Sequence, residues 1–111
     1  MDIKVQCAII NIQFIRGDTF QANVEIMNPD KSKYIPQPGD RIRFAVKKSY
    51  SDQEPVLLKE ISNDSLLLRI ESADTKAMLE DSYRYDIELT KANGDVSTFI
   101  KGNLVLSDEV M

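Results

Sequence analysis

Five carboxylates crowd the stretch from Asp74 to Glu88: Asp74, Glu80, Asp81, Asp86 and Glu88. A hydrolase working by paired acids needs two such groups converging on one cleft. Asp86 and Glu88 instead alternate with Tyr85, Ile87 and Leu89, so a strand through them turns both acids to solvent. The D-x-D-x-D ladder of a calcium loop is missing, and "DKSKY", "SDQE" and "SDEV" supply too few oxygens in a fixed order. Cys7 is the only cysteine and there is no histidine, so a thiolate nucleophile would lack its usual base. As one residue of an apolar strand face, Cys7 reads as a small core side chain. No G-x-S-x-G elbow, phosphate loop or dinucleotide fingerprint occurs. These residues predict no enzyme, no cofactor and no metal site.

Binding motifs come next. Arg16-Gly17-Asp18 spells an adhesion tripeptide, yet Gly-Asp recurs at Gly39-Asp40 and Gly94-Asp95, each time before a run alternating apolar and polar residues. Glycine tolerates positive φ and aspartate bonds its own nearby backbone, so the pair reads as strand punctuation. Arg41, Arg43, Lys47 and Lys48 form a basic string. Paired with the strand bearing Arg84, Asp86 and Glu88, that string becomes half of a cross-strand charge ladder rather than a phosphate-binding face.

Those residues need elements to carry them. The chain has 111 residues, 42% of them hydrophobic, which suits one domain over 1–111 with one core. A net charge of −4 argues against nucleic acid as a partner. A lone cysteine rules out an intrachain disulfide. "MDIKVQCAIINIQFI" is interrupted by Lys4, Gln6, Asn11 and Gln13, so no membrane span and no signal peptide is expected there.

Period-two alternation runs through most of the chain and predicts about seven strands: 3–15, 19–27, 41–48, 56–61, 65–71, 83–91 and 95–106. Within the first, Ile3, Val5, Cys7 and Ile9 hand over to Ile10, Ile12 and Phe14, which asks for a bulge or a switch between sheets. Lys33–Ile35 is expected to pair back on Ile26–Met27 across Asn28-Pro29-Asp30, and Gly102 to mark a bulge in the last strand. "SADTKAMLED" at 72–81 suits one helical turn, capped by Ser72 or Asp74, between the fifth and sixth strands.

Short strands separated by turns imply an all-β, two-sheet sandwich. Tyr83-x-Tyr85 after a crossover is similar to the immunoglobulin arrangement, in which a tyrosine at the start of the sixth strand pins the preceding corner. If Val56 and Leu58 face the core, Leu57 faces out; by the same parity Leu67 and Phe99 face out. Ile10 and Ile12 lie on a first strand whose two apolar faces cannot share one core. With Tyr34, these residues (Ile10, Ile12, Tyr34, Leu57, Leu67 and Phe99) are the expected interface, since bare apolar edges invite other chains. Tyr34 and Tyr50, both in loop surroundings, also leave open a carbohydrate- or cell-surface-binding module.

Four ordered blocks, "RGDTF", "YIPQPGDRIRFAVKK", "DTKAMLEDSYRYDIEL" and "NGDVSTFIKGNLVLSDEV", resemble a family of small immunoglobulin-like virion proteins of tailed phages and prophages of Firmicutes. The amino-terminal domain of phage baseplate upper proteins is similar. The family pattern often places glycine where this chain has Asp81-Ser82. The resemblance implies a structural part of a virion, in the tail or baseplate. It would be made in the bacterial host's cytoplasm, without catalytic residues, and its partners would be other virion proteins or copies of itself as a homo-oligomer.

Overall fold

The computed structural model describes residues 7–28 and 30–108. Among them the alternating runs become eight strands and one short helix: β1 Ala8–Ile9, β2 Ile12–Ile15, β3 Phe20–Asn23, β4 Arg41–Lys47, β5 Leu57–Ile61, β6 Leu67–Ile70, α1 Ser72–Lys76, β7 Ser82–Thr90 and β8 Val96–Ser107. The larger sheet has the order β1-β8-β7-β4-β5, with β2 also on β8; the smaller is β3-β6. β1 and β2 run parallel to β8, and every other strand pair is antiparallel.

Period-two burial explains why these runs fold this way. In β4, Ile42, Phe44 and Val46 are buried while Arg41, Arg43, Ala45 and Lys47 lie on the other face. β7 repeats the pattern with Tyr83, Tyr85, Ile87 and Leu89. These side chains join Val24, Leu68 and Ile70 of the small-sheet side in one apolar core. Each fully buried side chain of this size contributes roughly 1.5–3 kcal/mol, so closing one sheet over the other is the main stabilising term.

The expected first strand is split. β1 and β2 both pair with β8, and the break at Ile10–Asn11 is where the apolar parity changes. Ile10 keeps a backbone bond to Lys101 (2.9 Å), and the Asn11 side-chain oxygen accepts from the Asn103 N–H (3.0 Å). Ile3 and Val5 lie outside the described residues, as does Pro29 of the 28–30 turn. The expected return of Lys33–Ile35 onto Ile26–Met27 is present as a Met27–Lys33 bridge and a Tyr34 N–H to Ile26 carbonyl bond of 2.8 Å.

Two orientations differ from the alternation reading. Phe99 is 7% exposed and faces the core. Ile87 pairs with Ile100 and Glu88 with Thr98, so Phe99 is the extra residue of a bulge that reverses parity. That bulge lies three positions before Gly102, where it was expected. In β5, Val46 faces Leu57 and Ile42 faces Ile61, which turns the odd residues inward. Leu57 is therefore half-buried against the core, while Val56 and Leu58 are exposed. Lys59 shares the inward face, and its charge is met by Asp74 of α1 at 2.6 Å. Leu67 does point outward, between buried Leu68 and half-buried Leu66.

The helical crossover falls between the strands expected to flank it. Its N-cap is Glu71 rather than Ser72 or Asp74; Asp74 sits at the third helical position and accepts the Glu71 N–H at 2.7 Å. The Tyr83 hydroxyl accepts the Glu80 N–H at 3.0 Å, so this tyrosine does pin the corner three residues before it.

Candidate interaction surface

The Arg16-Gly17-Asp18 turn is locked into that corner. The Arg16 guanidinium donates to the carbonyls of Met78 (2.8 Å) and Glu80 (2.7 Å), and it pairs with Asp108 and Asp81. Gly17 has φ of 88°, and its N–H donates to the buried Thr75 hydroxyl at 2.8 Å. Of the three residues only Asp18 is exposed. An adhesion receptor needs the arginine free, and here it ties the first turn to the crossover and the end of β8.

The charge ladder forms in part, and mostly against another strand. Arg43 does face Glu88, but Ala45 faces Asp86 and Lys47 faces Arg84. The ion pairs of Arg41 and Arg43 go instead to Glu60 of β5. Asp86 lies mid-sheet, where burial raises its carboxyl above the usual 3.8, with Lys47 opposing the shift. Tyr50 arches over this face. Its hydroxyl lies 3.3 Å from the carbonyls of both Tyr85 and Gly102, and the residue is 50% exposed.

Tyr34 is likewise engaged. Its hydroxyl donates to the buried Asp40, and the Lys91 ammonium lies 5.4 Å from its ring centre. The bond to Asp40, with burial and the Asp40 charge, raises the phenol to about 12. Asp40 is lowered in turn, first by the Gln37 N–H at 2.9 Å and then by the Tyr34 hydroxyl.

Three of the six expected interface residues meet at one place. Ile10 and Ile12 line a hollow of about 350 Å³ with Phe20, Val24 and Leu68. Ile10 and Phe99 line an adjoining hollow of about 440 Å³ with Asn23, Glu25 and Met27. Together they form an apolar groove between the first strand and the outer edge of β3. Ile10 and Met27, each about half exposed, remain in contact with water there. Tyr34, Leu57 and Leu67 line neither hollow. Alternation within the first strand marked Ile10 and Ile12; nothing local marked β3 as the opposite wall. Among the described residues no group of three or more histidine, cysteine, aspartate or glutamate side chains is placed to hold a metal ion. No protein-family model matches the chain, and no curated protein matches it.

Proposed function

We propose that this chain is an immunoglobulin-like β-sandwich that works by docking, as a structural module of a tailed-phage or prophage virion. The observation that best supports the fold is the connectivity: strands parallel to β8, then β8-β7-β4-β5, opposed by β3-β6. The Tyr83 corner bond adds to it. Support for docking comes from the groove, where Ile10, Met27, Phe99 and Ile100 are joined by the polar Asn23 and Glu25. Apolar surface left in water beside an open strand edge is what a binding module offers. The virion assignment comes from the four sequence blocks and their order. In a particle with many copies, avidity would compensate for a weak single contact.

The experiment is mass spectrometry of phage particles purified after induction of the bacterium that carries the gene. The chain is expected in the particles at a fixed ratio to the tail proteins. Its absence from intact, infectious particles overturns the virion reading.

A further inference from the structure

The edge of β3 that faces the groove carries a row of backbone groups with a defined direction. β3 pairs with β6 through Phe20–Ile70, Gln21–Arg69, Ala22–Leu68 and Asn23–Leu67. In an antiparallel pair, residues that exchange hydrogen bonds alternate with residues that do not. The Val24 N–H donates to the Leu66 carbonyl at 2.8 Å, which assigns the even residues to the β6 side. The chain beyond agrees: the Ile26 carbonyl accepts from Tyr34 and the Asn28 N–H donates to Ser32, each at 2.8 Å. The N–H and C=O groups of Gln21, Asn23 and Glu25 therefore point the other way. Among the described residues no strand pairs with that edge. The side chains of all three are exposed.

We propose that this edge docks antiparallel on the same edge of a second copy, with Asn23 opposite Asn23 on the two-fold axis. The side chains select that register. Centred on Asn23, Gln21 of each chain stands opposite Glu25 of the other, an amide donor against the only ionised group on the edge. Centred on Glu25, two carboxylates would oppose each other, which destabilises a strand pair. Centred on Gln21, Gly17 and its turn would have to lie opposite Glu25, and that turn is already bonded to Thr75. The Asn23 register also sets Thr19 of each copy opposite Met27 of the other. The overlap then runs from the start of β3 to the Met27–Lys33 bridge, whereas a shift of one residue shortens it at one end. Every inter-copy pair among Gln21, Asn23 and Glu25 is then a hydrogen-bonded pair, so the exposed ladder is satisfied. The neighbouring strand would also cover the apolar groove beside Ile10 and Met27. This deepens the docking reading by naming a partner, and rests on it only for the premise that the domain acts through contacts.

Light scattering and sedimentation of the full chain over a range of concentrations test the idea. The expected result is a concentration-dependent rise to the mass of two chains. Asn23→Pro deletes one outward N–H and none of the β3–β6 ladder, and proline is tolerated on an edge strand. This variant is expected to stay folded by circular dichroism and to remain a single chain. Gln21→Glu sets carboxylates opposite each other twice and should weaken the dimer by about tenfold. Adding Glu25→Lys to that variant should restore it, which a nonspecific contact would not do. A chain that stays single at every concentration overturns the proposal. So does a dimer indifferent to Asn23→Pro and to the charge exchange, since its contact would lie elsewhere. Neither result bears on whether the chain is found in virions, so the two readings fail separately.

Discussion

The Tyr85 hydroxyl donates a 2.6 Å hydrogen bond to the carbonyl of Ile10, 75 positions earlier in the chain. Tyr85 is otherwise a core residue, 1% exposed, with its ring 5.5 Å from that of Phe44. Burial is the main reason its phenol is raised to about 12, so it remains a neutral donor across the ordinary pH range. The bond holds the first strand at the point where its apolar parity changes. Gly102 makes that approach possible, because a Cβ there would sit 2.1 Å from the Ile10 oxygen.

Gly102→Ala is therefore expected to push the first strand off β8. The obstacle is backbone and cannot rotate aside, so the cost should reach or exceed the ~1–3 kcal/mol of an overpacked core. Urea denaturation measures it. Hydrogen exchange should show Ile10 and Ile12–Ile15 opening before β4 and β7. Wild-type protection at these sites would contradict the steric account.

Phe99→Ala distinguishes an inward from an outward ring. A buried phenylalanine truncated to alanine costs about 3 kcal/mol or more, whereas a solvent-facing one costs little. The expected outcome is a clear drop in the denaturation midpoint. A shift under roughly 0.5 kcal/mol would place the ring outside the core.

Arg16→Lys keeps the charge but not the planar fork that reaches the Met78 and Glu80 carbonyls together. It should lower stability by about 1–3 kcal/mol, read as a fall in Tm. Asp18→Glu, by contrast, should leave both Tm and cell adhesion unchanged. Loss of adhesion in that variant would show that the tripeptide is recognised after all.

Asp86 and Asp40 predict opposite pH responses. Burial raises the folded-state pKa of Asp86, so the folded chain holds this proton to a higher pH than the unfolded chain does. Its contribution then falls as pH rises from the usual 3.8 through the raised value. Asp86→Asn should be more stable than wild type at neutral pH, and the difference should vanish below 3.8. Asp40 is lowered, so its contribution is present above the ordinary aspartate value and is lost as pH falls through the lowered one. Asp40→Asn should flatten the acid limb of a stability–pH profile. Denaturant titrations at several pH values read both signs.

Alternation in sequence was enough to place β4 and β7, because each keeps one parity from end to end. Ile42, Phe44 and Val46 share a face, as do Tyr83, Tyr85, Ile87 and Leu89. β5 was misread because Val56, Leu57 and Leu58 are all apolar and offer both parities. Ile61 carried the deciding signal, and Lys59 hid it by sitting inward on a charge partner in α1. Of the expected interface, Ile10, Ile12 and Phe99 converge on one groove, while Tyr34 is spent on Asp40 and Leu57 on the core.

The amino-acid order by itself determined that this chain is built of strands, where its turns fall, and that α1 bridges β6 and β7. Those are local properties, set by each side chain against its neighbours one and two places away. Tertiary structure alone decided that Phe99 turns inward, that Arg16 belongs to a corner, and that β3 forms the far wall of a groove lined by Ile10. Each depends on a pairing register or an approach between segments far apart in the chain, and a single residue of slip reverses a strand's faces.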